Sequence, residues 1–370
     1  MTRAMTRQLL AAALLLPGAG ASACPLCLGA GQPSKAQQLV ATPQAVLAVP
    51  TADAGRFRVI QVIKGERPVD GTVEGAYPRS GLASSSKTPI PPGGTRSLLL
   101  VRDDPLPTWV ILGTIDAARA GWLRSLATGK QTADRNPEEW RAQLALVVPH
   151  LDDSEPLAAE LAFAELGAAP YAALRTAKPH LNAAALRRRV ADPELAARQP
   201  LCLLLLGISG NAQDAATLEQ RLQAAWQSGD AANLSSMLAA DLELRGAERV
   251  VWVESNYLAD RKRSRPEIKA ALLALSVHGN ANGAVPRERV IQSYRVFMHT
   301  HPEIAGDVAP DFAAWQYWDA VPDYLALMKS GVRQQYPSRL AMLAYLKQSP
   351  NAGTLVSSLE TAPADGMAKP

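Results

Sequence analysis

The sequence predicts an α+β chain in two parts: a small N-terminal β barrel or sandwich over 36–128, then a C-terminal α-solenoid over 136–360. Three observations carry this expectation. Short β-branched runs separated by Gly-, Pro- and Ser-rich stretches fill the first part. From Asn136 onward the apolar residues recur at helical spacing instead. The helical part is also self-similar, with Ala/Leu-rich units closing at Gly167, Gly207, Gly246 and Gly279, intervals of 40, 39 and 33 residues.

Residues 1–23 read as a secretory signal peptide. Arg3 and Arg7 form the positive region, LLAAALLL (9–16) the apolar one, and Ala21-Ser22-Ala23 the small-residue cleavage site. The apolar run is well short of the roughly 20 residues that span a bilayer. The expected location is therefore exported, periplasmic or secreted. Cleavage after Ala23 would leave Cys24 first in the mature chain, the position acylated in bacterial lipoproteins. Ala21 stands where such proteins usually carry Leu, so the anchored form is the alternative, and it is the one route to a membrane. Loss of Arg3 and Arg7 lowers the formal charge from +4 to +2. That is too little clustered charge for nucleic acid as a partner.

The β elements follow in order. QAVLAV (44–49), FRVIQVIKG (57–65), SLLLV (97–101) and WVILGTI (109–115) read as strands, with the stretch 79–95 between them too rich in Gly, Pro and Ser for a regular element. The segment 129–135 reads as a linker. Beyond it, NPEEWRAQLALVV (136–148) opens with Asn136 as N-cap, Pro137 at the first helical position and two acids in the first turn. Each later unit has an acid or Pro opening, an Ala/Leu-rich helix, a Gly stop and a second helix. A single hairpin of this kind cannot bury its own apolar face, but stacked neighbours can. Residues 361–370 read as a disordered tail.

The period and the pattern D-P-x-x-x-x-R…L-x-x-L-G, copied best in DPELAARQPLCLLLLG (192–207), resemble HEAT repeats over 136–360. A cysteine at the mature start followed by a strand ending in Lys64-Gly65 resembles the netrin or TIMP-like barrel. That family opens with Cys-x-Cys, whereas this chain has Cys-x-x-Cys and lacks the later cysteines that pair with it. The whole chain is similar to secreted bacterial proteins with a mature CPxC start, a small β domain and HEAT-like repeats. The resemblance implies an architecture and no site residues.

Cys24 and Cys27 are the first candidates for chemistry. In an oxidising compartment a disulfide is their default fate. A metal site lacks two of zinc's four ligands, though copper(I) accepts two thiolates. Thiol exchange would need a strand before the motif and a helix after it. Cys202, flanked by leucines, reads as a buried thiol. His299 and His301 form the one close histidine pair, and with His278 they read as helix-end residues. The acids of LDDSEP (151–156) read as a helix cap. LRRRV (186–190) and DRKRSR (260–265) read as solvated faces or loop turns, with a contact point for an anionic partner as the alternative. Among the aromatics of FAAWQYWDAVPDY (312–324), Trp315 and Trp318 would share a helical face with Tyr317 beside them. They form either a packed core or a partner-binding surface. No nucleophile elbow, zinc-protease helix or phosphate loop is present. The expectation is a non-enzymatic binding or scaffold protein for a protein or envelope partner, with no cofactor. The alternative is a copper- or thiol-handling protein using Cys24 and Cys27.

Overall fold

The computed structural model describes residues 33–78, 96–102, 108–350 and 352. Cys24 and Cys27, the expected signal peptide and the tail lie outside these residues. The described chain is α+β, with a small, mainly antiparallel N-terminal sheet followed by a helical region. A helix that the sequence reading left unassigned, Lys35–Ala41, comes first. It is set by a capping box in which Ser34 and Gln37 satisfy each other's backbone N–H groups.

The strands are β1 (Gln44–Pro50), β2 (Arg56–Lys64), β3 (Thr72–Glu74), β4 (Tyr77–Pro78), β5 (Arg96–Arg102) and β6 (Trp109–Asp116), and the sheet order is β3-β2-β1-β5-β6-β4. All four predicted strands, β1, β2, β5 and β6, are present within a residue of their expected bounds. All neighbours pair antiparallel apart from β4 with β6, which run parallel. Register shifts in the β1–β2 and β5–β6 ladders bend the sheet. Its two faces feed two cores. Leu47, Leu99 and Ile115 point into a hydrophobic core that continues without a break through Leu123, Trp140 and Leu161 to Tyr345 near the C-terminal end. Val46, Val59, Leu100 and Trp109 form a smaller cluster on the other face.

The segment 129–135 joins helix Ala120–Ala127, which follows the last strand, to helix Pro137–Val147, and a buried ion pair fixes its end. Arg135 Nη1 donates to Glu165 Oε2 at 2.6 Å, with both side chains at or below 2% exposure, and Gln143 donates to the same oxygen at 2.8 Å. The Arg135 guanidinium also lies 4.7 Å from the Trp140 ring centre, and its Nε donates to the Lys130 carbonyl.

The helical part is built on a row of buried helices. Gln199–Ser209, Leu234–Arg245 and Arg265–Ala281 pack side by side, and they are apolar almost all the way round because neighbours cover them on several sides. Amphipathic helices flank the row: Ala183–Ala191 and Ala212–Ser228 before the second member, Arg287–Thr300 after the third. The short helix Tyr171–Thr176 also reaches this row, where Arg175 Nε donates to Glu243 at 2.8 Å. The cap expected at Asn136 holds: Asn136 and Glu139 form a capping box on Pro137–Val147. A second box, of Ser264 and Glu267, opens Arg265–Ala281. The cap expected of LDDSEP is not made. Asp153 accepts the Glu155 N–H, but Glu155 is the N-cap residue of Pro156–Ala168 and makes no side-chain cap bond, because the aspartates lie too early in the chain.

Two expectations need correction. The unit-closing glycines are not all stops. Gly246 ends its helix at φ 76°, but Gly167, Gly207 and Gly279 lie inside helices. A Cβ on Gly207 would sit 2.6 Å from Ala240 Cα, so this glycine is where two helices of the row cross in contact. The basic runs are solvated only in part: Arg187, Arg188, Arg261 and Lys262 are exposed and 261–263 is a turn, as expected, but several of their arginines are also ion-paired. Arg187 grips Asp214 through two bonds of 2.6 and 2.8 Å, Arg189 pairs with Asp152, Arg263 with Glu267 and Arg265 with Asp307. Two of these four, Arg187 and Arg265, reach from one helical element to another. The spacing shows that charges are adjacent; only the fold shows which carboxylate each one meets.

Candidate functional site

The aromatic stretch ends a helix instead of forming one. Ala309–Ala314 stops at Trp315, and Gln316 adopts the left-handed conformation at φ 54°. The shared helical face expected of Trp315 and Trp318 therefore does not exist. The break turns all three candidate aromatics back onto the core, where each is half-buried. Trp315 stacks on Tyr294 at 5.7 Å and 11°, and its indole N–H donates to Asn280 at 2.8 Å. It lies so close to Gly279 that a Cβ there would be 2.6 Å from the ring. Trp318 packs 5.1 Å from Tyr345, and Tyr317 packs 5.2 Å from Phe312. The cluster joins the last helix, Tyr336–Gln348, to the rest of the molecule.

Asp311 lies beneath this cluster. Its carboxylate accepts from the Tyr294 hydroxyl at 2.5 Å and from Ser276 at 3.0 Å, with no cation among its described partners. Burial pushes its pKa above the ordinary 3.8, opposed by the two hydroxyl hydrogen bonds. A raised folded-state pKa contributes stability that is complete at low pH and is lost as pH rises through that value. Asp311→Asn keeps hydrogen-bonding capacity and removes the charge. It is expected to raise the melting temperature at pH 7 by a few degrees and to leave it unchanged at about pH 3, measured by thermal unfolding across pH. A variant less stable than the parent at pH 7 would show that the ionised form is the better fit.

Next to the aromatics, a cleft of about 530 Å³ separates Arg287–Thr300 from Val321–Lys329. One wall presents Arg295, Met298 and His299 from successive turns. Asp323, Leu327 and Ser330 face them from the other, at spacings of four and three residues. Met298 is buried and Leu327 half-buried, so the floor is apolar and the rims are polar. Arg295 Nη2 donates to the Tyr317 hydroxyl at 2.6 Å, which ties the cleft to the candidate aromatics. The sequence reading named His299 and Tyr317 but not Arg295, Met298 or Asp323. The helical spacing on each wall was visible; that the two walls face each other was not.

The remaining candidates separate. His301 caps the helix Arg287–Thr300 and is buried, whereas His299 lines the cleft, so the H-x-H pair does not act as one unit. His278 lies in the last turn of its helix, as expected, but is buried in the core: its Nε2 bonds the Ala239 carbonyl of the neighbouring helix at 2.9 Å, and burial lowers its pKa. Cys202 is buried as expected, and desolvation pushes its thiol up to about 11. Among the described residues no group of three His, Cys, Asp or Glu side chains is placed to hold a metal ion, and no helix is long and apolar enough to cross a membrane. No protein-family model matches this chain, and neither the curated proteins nor the solved structures contain a significant match.

Proposed function

We propose that this chain is an exported, non-enzymatic binding or scaffold protein that presents a HEAT-like helical array to a protein or cell-envelope partner. The observation that supports this reading is the row of buried helices Gln199–Ser209, Leu234–Arg245 and Arg265–Ala281, packed side by side as successive repeat units would be, with amphipathic helices against it. In the same reading, the bent sheet around Val46, Val59 and Leu100 belongs to a small barrel. The sequence of residues 1–23 supports export. Cross-linking of the full chain in the envelope of an exporting host, followed by intact-mass analysis, tests the proposal. The expected product begins at Cys24 and carries a discrete partner linked through 265–348. A product that retains residues 1–23, or no specific adduct, would reject it.

A further inference from the structure

Resting on that binding reading, we propose that the cleft seats a peptide segment of the partner in which an acidic residue stands next to an apolar one. Arg295 takes the carboxylate, and Met298 and Leu327 take the apolar side chain.

Arg295 is the reason for the acidic residue. Arg187, Arg263, Arg265 and Arg289 spend their charge on a carboxylate, whereas other arginines of the helical region, Arg188, Arg261 and Arg287 among them, have no ion pair among the described residues; of the latter kind Arg295 is the one that lines the cleft. Among the described residues Arg295 has no such partner; one nitrogen is tethered to the neutral Tyr317 hydroxyl. Tyr317 is itself fixed, its ring on Phe312 and its carbonyl accepting from the Tyr345 hydroxyl. The guanidinium is thus oriented before any ligand arrives, which lowers the entropy cost of binding, and its remaining N–H groups suit a carboxylate. His299, one turn on, adds an imidazole nitrogen on the same wall.

Asp323 on the facing wall decides what kind of acid fits. A free inorganic anion would meet its negative charge, whereas a peptide brings backbone N–H groups that Asp323 can accept. The apolar floor also has no use for a bare anion. The cleft lies within the usual range for ligand sites, about 300–1,000 Å³, and suits a short segment better than a whole domain face.

The test uses the full chain and three fluorescein-labelled decapeptides in a Gly/Ser background, carrying one Glu-Leu, Gln-Leu or Glu-Gly pair. Fluorescence polarisation is expected to show the Glu-Leu peptide binding about tenfold tighter than either control. Arg295→Gln should bring it to the Gln-Leu level while leaving the unfolding midpoint unchanged. About 0.5 M salt should weaken the Glu peptides more than the Gln one. Equal affinity for all three peptides, an Arg295→Gln variant that binds as the parent does, or no binding below about 1 mM overturns the assignment. If the envelope cross-link survives Arg295→Gln and the peptides do not discriminate, the binding reading stands and the cleft assignment falls. If the peptides discriminate through Arg295 but no partner is recovered, the cleft assignment stands alone.

Discussion

Glu165→Ala is expected to cost about 3–5 kcal/mol of stability, the range for removing one partner of a buried ion pair. The cause is what remains. Arg135 would keep its charge in a site where both side chains are almost fully shielded from water, with Glu165 the only carboxylate bonded to it among the described residues. Gln143 would lose an acceptor as well. The damage falls where the first helices after the sheet meet, so denaturant unfolding should shift to a much lower midpoint. Replacing both partners, Arg135→Met with Glu165→Leu, removes both charges and should recover most of the loss. If the double variant is no better than Glu165→Ala, the loss comes from packing and not from a stranded charge.

Gly207→Ala separates two opposite expectations by sign. In an ordinary helix interior the change stabilises by about 0.5–1 kcal/mol, because alanine restricts the unfolded chain. Here the new methyl would stand 2.6 Å from Ala240 Cα, a backbone atom that cannot rotate away. The row must spread, and the expected result is a net loss of about 2–3 kcal/mol, typical of overpacking. Ala240→Gly, made together with it, removes the second close atom, the Ala240 Cβ at 2.8 Å, and should restore part of the loss. A stabilised Gly207→Ala protein would mean that the helices do not cross in contact there.

These two predictions mark where sequence reading reaches its limit. Strands β1, β2, β5 and β6 and the cap at Asn136 were legible because their causes are local: β-branched runs, turn residues, and a capping side chain three residues from its partner. The capping box at Ser34 and Gln37 is equally local and was readable, yet the helix Lys35–Ala41 was missed. Gly207 and Gly279 were misread because a glycine that ends a helix and a glycine that admits a neighbour look the same along the chain. The aromatic run was misplaced for a related reason. Its helical spacing is real, but Gln316 turns left-handed and sends Trp315 and Trp318 to different neighbours, Tyr294 and Tyr345. Of the cleft, each wall's spacing was visible and the meeting of the walls was not.

By itself the sequence determined the order of β and α elements, most strand positions, several helix starts and the burial of Cys202. These follow from forces acting within a few residues: backbone preference, capping and hydrophobic periodicity. Tertiary structure decided which carboxylate each arginine meets, why Gly207 has no side chain, that Arg135 and Glu165 share a dry interior, and that Arg295 faces Asp323 across a cleft. Apart from local pairs such as Arg263–Glu267, these depend on the separation of atoms 20 or more residues apart along the chain, and only the packed core sets that separation.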